Sequence, residues 1–161
     1  MLSEFLKERI MIFFKAIKKL IGIFLMMGLF FSLTAFSSVQ EMNRFYIHVN
    51  GKVLVCECAD NSSSKALLEK LKLSDVEIDM SDYGNFEKVG DLGFSLPQNN
   101  ENITTAPGDV ILYLGSKLSI YYAQNSWNLT RIGKIRNQNS QELKSILGNS
   151  GVKARLSLKD R

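Results

Sequence analysis

The chain has 161 residues, with 20 Lys and Arg against 16 Asp and Glu, for a net charge of +4. That length favours one domain. The first 35 residues hold Lys7, Arg9, Lys15, Lys18 and Lys19 against Glu4 and Glu8, which leaves 15 basic and 14 acidic groups from position 36 onward. The remainder is close to neutral, so net charge gives no ground for nucleic-acid binding.

Residues 20–31 read LIGIFLMMGLFF, an uncharged apolar run directly after Lys15, Lys18 and Lys19. Ser32, Thr34, Ala35, Ser37 and Ser38 follow. Basic, apolar, then small is the order of a secretory signal peptide. We expect a signal over 1–37, cut after Ser37 or Ala35, and a protein exported to the periplasm or the extracellular space. A retained anchor is the rival reading. Leu20 to Phe36 is free of charge, but 17 residues fall short of the ~20 that a spanning helix needs. Lipidation is excluded, because the lipobox-like Leu33-Thr34-Ala35 is followed by Phe36 where a Cys is required. Met11 gives a second possible start, with a more compact signal free of acidic residues.

Arg44 to Cys58 predicts a hairpin around Asn50-Gly51, a pair suited to the two positive φ angles of a type I′ turn. That turn sets the register: Val49 faces Lys52, Ile47 faces Leu54, Phe45 faces Cys56 and Arg44 faces Glu57. One face then carries Phe45, Ile47, Val49, Leu54, Cys56 and Cys58; the other carries Arg44, Tyr46, His48, Val53, Val55 and Glu57. Asn61 or Ser62 caps a short helix over Ser63 to Leu71. Val76, Ile78 and Met80 alternate with Glu77 and Asp79 as a half-buried strand. Gly84-Asn85 makes a turn, and Val89 to Leu96 is extended. The polar stretch Gln98 to Thr105 reads as a loop, and Pro107-Gly108-Asp109 as a turn. Val110 to Leu114 and Leu118 to Ala123 are strands joined by Gly115-Ser116-Lys117. Trp127 falls in a turn, and Leu129 to Ile135 is a strand. Ser140 caps a helix from Gln141 to Leu147, ended by Gly148. Val152, Ala154, Leu156 and Leu158 mark a last strand. Seven or eight short strands with turns between them predict an all-β barrel or sandwich over 44–158.

No residue pattern supports metal binding or catalysis. His48, Cys56 and Cys58 are too few for a zinc site. The two cysteines share a strand face about 7 Å apart, beyond the ~4.4–6.8 Å of a disulfide, and read as small buried hydrophobes. No nucleophile elbow or phosphate-cradling loop occurs. His48, on the mixed face, reads as solvated or partly packed. Eight basic residues from Arg131 to Arg161 against Glu142 and Asp160 read as a solvated tail, with an anionic surface as the rival. The pattern Asn-x-Ser/Thr at Asn61, Asn102 and Asn128 reads as chance. Tyr83, Phe86, Tyr121, Tyr122 and Trp127 fall in turns and late strands, interleaved with Asn85, Thr130 and Arg131. Aromatic walls with a few polar groups suit a small molecule or peptide. The candidate ligand contacts are Tyr83, Asn85, Phe86, Tyr122, Trp127, Thr130 and Arg131.

One ordered set of motifs goes further. Asn50-Gly51 precedes Lys65-Ala66-Leu67-Leu68-Glu69-Lys70-Leu71. Tyr83-Gly84-Asn85 with Glu87-Lys88, then Phe94-Ser95-Leu96-Pro97 and Pro107-Gly108-Asp109-Val110 come next. Thr130-Arg131-Ile132-Gly133-Lys134-Ile135 closes the series. Over about Phe45 to Ile135 the chain resembles the cyclophilin-like proteins of bacteria. The resemblance implies a small closed β-barrel with one or two peripheral helices, and relation to cyclophilins in fold rather than necessarily in activity. Leu129 stands where relatives carry Tyr, so an aromatic contact there is not carried over. The cyclophilin Phe-His-Arg signature and Gln-Met-Gln run have no match. A non-enzymatic binding module without cofactor is therefore the expectation, touching membrane only through its N-terminal segment. An envelope prolyl isomerase or folding helper, with Arg131 polarising a carbonyl, is the alternative.

Overall fold

The computed structural model describes Met11, Phe13, Lys15, Ile17 and Lys18 together with residues 43–136 and 138–161. The chain divides into two compact units, Met1–Glu41 and Met42–Arg161. The apolar run at 20–31 and both cleavage positions lie outside the described residues. Among the described residues no helix is long and apolar enough to cross a membrane.

The second unit runs β1 (Arg44–Val49), β2 (Lys52–Cys58), α1 (Ser62–Leu73), β3 (Val76–Tyr83), β4 (Glu87–Asp91) and β5 (Glu101–Thr104). It continues with β6 (Asp109–Tyr113), β7 (Lys117–Tyr121), β8 (Ser126–Ile135), α2 (Ser140–Leu147) and β9 (Val152–Ser157). Eight strands close in the order β2-β1-β9-β3-β4-β7-β6-β8, with β8 pairing back onto β2. Closure leaves no barrel edge open to pairing. The additional strand, β5, stands outside the ring and pairs with the first half of β8.

The β1–β2 register is the one expected from the turn: Val49↔Lys52, Ile47↔Leu54, Phe45↔Cys56 and Arg44↔Glu57. Asn50 and Gly51 have φ of 48° and 71°. The pleat then sends Phe45, Ile47, Val49, Leu54 and Cys56 into the barrel, where they meet Leu112, Leu118, Ile120, Ile132, Ala154 and Leu156. Both helices add to the same core, α1 through Leu67, Leu68 and Leu71 and α2 through Leu143 and Leu147.

Local chemistry sets the helix ends. The Asn61 side chain accepts from the Ser64 amide. At α2 the cap is Asn139 rather than Ser140. Asn139 accepts from the Glu142 amide, and the Glu142 side chain accepts from the Asn139 amide, a reciprocal capping box. Gly148, with φ 72°, ends the helix.

Three segments differ from the sequence-based expectation. The stretch 98–105 contains strand β5, which owes its extended form to the ladder with β8. Its sole apolar side chain in the interior of the alternation is Ile103, too little to register as a pattern. Trp127 lies within β8, opposite Ile103, and not in a turn. The strand starting near Val89 instead begins at Glu87 and stops at Asp91. There the Asp91 carboxylate accepts from the Gly93 amide at 2.8 Å, and Gly93 turns the chain with φ 77°. The amides of Leu92 and Leu96 then bond to the carbonyls of Ser116 and Gly115, each at 2.8 Å.

Both cysteines are free thiols. Burial pushes the Cys56 thiol well above its ordinary value and that of Cys58 up to about 11. His48 sits on the mixed face of β1, with a ring nitrogen 2.9 Å from the Lys159 carbonyl oxygen.

Candidate functional site

The site follows from the pleat of β4, β6, β7 and β8. On β7, Leu118, Ile120 and the following Tyr122 point into the barrel core. Alternation therefore sends Ser119 and Tyr121 to the outer face. Tyr121 joins a second apolar cluster there, with Ile103, Ile111 and Leu129 and with Phe86 packed against it. Ile103 reaches this cluster because β5 lies beside β8, so the extra strand covers part of the outer wall. Glu87 is opposite Tyr121 in the β4–β7 ladder.

The segment leading into β5 is tied down. Thr130 Oγ1 accepts from the Asn99 amide at 2.8 Å and donates to Asn100 Oδ1 at 2.6 Å. Ser63 donates to the Pro97 carbonyl, and the Asn99 side-chain amide donates to Ser63 at 2.6 Å. At the other end of β5, Asn125 and Thr105 exchange hydrogen bonds: the Thr105 amide donates to the Asn125 carbonyl at 2.7 Å, and the Asn125 amide to Thr105 Oγ1 at 2.9 Å. Both attachments hold the strand over the outer cluster.

Beside that cluster opens a cavity of about 280 Å³, lined by Tyr83, Phe86, Glu87, Tyr113, Tyr121, Asn125, Trp127 and Leu129. Phe86 and Tyr121 stack at 5.9 Å between centroids with 15° between planes. Tyr83 meets Phe86 edge-on, at 5.9 Å and 85°. Tyr83 and Trp127 are each 62% exposed and form the rim. Glu87 is 8% exposed, and its Oε2 has no hydrogen-bond partner among the described residues. Burial raises its carboxyl above the ordinary value, while the hydroxyls of Tyr121 and Ser119 pull the other way. The Tyr121 hydroxyl is in turn pushed well up, by burial first and by Glu87 next, with the Asn125 side chain opposing.

The candidates named from sequence separate into two groups. Tyr83, Phe86 and Trp127 come together around this cavity. Asn85 is exposed in the β3–β4 turn with φ 57°. Tyr122 points inward, where its hydroxyl donates to Asp82 Oδ1 at 2.6 Å. Lys88, fully buried, donates to the other Asp82 oxygen at 2.8 Å and to the Ser150 carbonyl at 2.6 Å. Thr130 is committed to the Asn99–Asn100 segment. Arg131 pairs with Asp109 at 2.7 Å, and Lys134 pairs with the same carboxylate oxygen at 2.8 Å. Burial alone would raise the Asp109 carboxyl, but Lys134, the Ala106 amide and Arg131 hold it below the ordinary value.

Glu87, Tyr113, Tyr121, Asn125 and Leu129 complete the lining. Tyr121 was legible as outward from the phase of Leu118 and Ile120. Glu87 follows once it is paired across from Tyr121. Leu129 touches the cavity as an aliphatic wall. Among the described residues no three His, Cys, Asp or Glu side chains gather as a metal site.

The cyclophilin-like family model matches residues 47–159. The chain belongs to the cyclophilin-like family. The closed barrel with its helices agrees with that membership. Two solved structures share the cyclophilin-like fold of this domain. One is McbB in complex with tryptophan, with TM-score 0.54 and 14% identity over 73% of this chain. This chain spans 45% of that protein's length. The other is the solution structure of the hypothetical protein AF2241 from Archaeoglobus fulgidus, with TM-score 0.53 and 13% identity, over 72% of this chain and 94% of that one. A comparison with curated proteins returned no match.

Proposed function

We propose that this cyclophilin-like domain is an exported, non-enzymatic binding module for a small molecule or a short peptide side chain. The observation that carries the reading is the aromatic-walled cavity on the outer barrel face, braced by β5. Its volume of about 280 Å³ falls just below the usual range of ligand sites, which starts at about 300 Å³. A single ring with a short substituent suits that space. McbB, of which this chain spans 45%, is in complex with tryptophan, which is compatible with a small aromatic ligand. Export is supported by the order of the N-terminal segment: Lys15, Lys18 and Lys19, the apolar run, then Ala35 and Ser37.

The isomerase alternative draws less support. Arg131, its one candidate polariser, has its guanidinium engaged by Asp109. That pairing fixes where the guanidinium points and sets part of its charge against the carboxylate, which weakens its pull on a substrate carbonyl.

Thermal-shift screening of the full chain against a panel of small aromatic molecules tests the binding reading. A ligand at a hundredfold excess over its Kd stabilises by about 2.7 kcal/mol, a readily measured rise in Tm. A flat panel, together with proline-peptide turnover lost in Arg131→Ala, would replace the reading with the isomerase. N-terminal sequencing of the protein from fractionated cells tests export: a start at Ser38 or Phe36 supports it, and an intact N-terminus in the cytoplasm overturns it.

A further inference from the structure

We infer that the ligand presents a positively charged amine to Glu87, within a lining of aromatic rings; this deepens the proposed binding function and rests on it. The reason is an imbalance in hydrogen bonding. A buried acceptor without a donor costs about 1–3 kcal/mol, more when charged. Native folds rarely leave one. Elsewhere in this barrel such groups are satisfied. Asp109, whose side chain is 3% exposed, receives Lys134, Arg131 and the Ala106 amide. Lys88 is fully buried and has two acceptors. Glu87 is the departure: it is nearly as buried and lines the cavity, the Tyr121 and Ser119 hydroxyls serve its carboxyl in part, no cation reaches it among the lining residues, and its Oε2 has no partner among the described residues.

The lining says what would complete it. Tyr83, Phe86, Tyr113, Tyr121 and Trp127 are all aromatic, and no Lys, Arg or His is among the lining residues. Aromatic faces carry negative potential and attract cations. The Glu87 carboxyl among these rings adds negative charge when ionised, in a low-dielectric setting. A ligand anion would meet like charge there and be disfavoured. A neutral ring would pack but leave Oε2 unpaired. An ammonium group donates to Oε2 and lies against the ring faces, which satisfies both. Burial raises the Glu87 carboxyl, as expected of a carboxylate short of its counter-ion. The cavity volume limits the occupant to a small amine, such as an arylalkylammonium.

Three probes of one shape separate the possibilities: 2-phenylethylammonium, neutral 2-phenylethanol and anionic 3-phenylpropionate. Titration calorimetry on the full chain at neutral pH is expected to rank the ammonium first, the alcohol weaker and the acid weakest. Glu87→Gln keeps the shape and removes the charge. It is expected to weaken the ammonium by about tenfold to a hundredfold and to leave the alcohol unchanged. Trp127→Ala removes an exposed rim residue, is expected to leave the fold intact, and weakens ammonium and alcohol together. Equal affinity for ammonium and alcohol in the wild type, or undiminished ammonium binding by Glu87→Gln, overturns the amine assignment while leaving a binding cavity. Absence of binding by all three probes overturns both the assignment and the cavity reading. If Glu87→Gln does not fold, as judged by circular dichroism, the charge ranking in the wild type decides alone.

Discussion

The β2–β8 seam that closes the barrel packs around a residue without a side chain, and Gly133→Ala tests that packing. Gly133 lies on β8 where that strand pairs with β2, opposite Cys58. A Cβ at this position would fall 2.3 Å from the Glu57 carbonyl oxygen and 2.7 Å from Cys56 Sγ. The first obstacle is backbone, fixed by the ladder itself, and the second belongs to a fully buried side chain. Neither can swing aside, so the strands must separate. Overpacking of this kind costs about 1–3 kcal/mol, and a backbone obstacle places this case near about 3 kcal/mol. Urea denaturation followed by circular dichroism measures it, with the loss expected in the midpoint rather than the slope. Hydrogen exchange should show faster opening where β2 meets β8. Gly151 is the control, since a Cβ there would sit 3.5 Å from the Met80 carbonyl oxygen, an ordinary contact. Gly151→Ala should be neutral or slightly stabilising. A Gly133→Ala protein as stable as wild type would refute the argument that close approach at this seam closes the barrel.

Other outcomes follow from the same coordinates. Leu114 is held at φ 50° beside Gly115 in the β6–β7 turn and is 65% exposed. Left-handed backbone costs a branched residue about 1 kcal/mol. Leu114→Asn, which reproduces the Asn-Gly pair of the first hairpin, should therefore raise Tm by roughly 4 °C. Asp109 has a lowered carboxyl value in the folded state. Its contribution is thus present above its ordinary value of 3.8 and is lost as pH falls through the lowered folded value. Asp109→Asn should cost about 2 kcal/mol at neutral pH and flatten the acid limb of a pH–stability curve; an unchanged acid limb would count against this ion cluster. Glu87 has the opposite sign. Its contribution is present below the ordinary value of 4.5 and is lost as pH rises through the raised folded value. Unliganded Glu87→Gln should therefore be no less stable than wild type at neutral pH, and a lower Tm would contradict that.

The sequence is most informative where two local rules agree. Asn50-Gly51 and the apolar alternation around it specify the same register, and β1–β2 adopts it. The alternation Val76, Ile78, Met80 and the Asn61 cap are likewise read from local chemistry, while the second cap falls on Asn139, one residue before the expected Ser140. Strand β5 is different in kind. It carries Ile103 as its buried side chain and is extended because β8 offers a free ladder, a long-range cause that no window of sequence contains. Trp127 is misplaced for the same reason, as its strand character comes from β5.

The site divides along the same line. Tyr83, Phe86 and Trp127 are recognisable as aromatics near turns. Choosing between Tyr121 and Tyr122 requires the phase of β7: Leu118 and Ile120 face inward, which takes Tyr122 with them and leaves Tyr121 outside. Arg131 and Thr130 look available as polar groups in sequence, but their partners Asp109, Asn99 and Asn100 are brought in by the fold. Glu87 reads as an ordinary strand-end acid until the β4–β7 register sets it against Tyr121.

Trp127 is the chain's one tryptophan, and it stands at the rim of the cavity. Its fluorescence therefore reports on that place alone. Titrating the full chain with 2-phenylethylammonium while exciting at the red edge of the indole band is the most direct measurement of the central claim. Saturable change in Trp127 emission, weakened in Glu87→Gln, is the predicted result. Emission that stays constant while the same probe is shown by calorimetry to bind would place the ligand elsewhere and contradict the account.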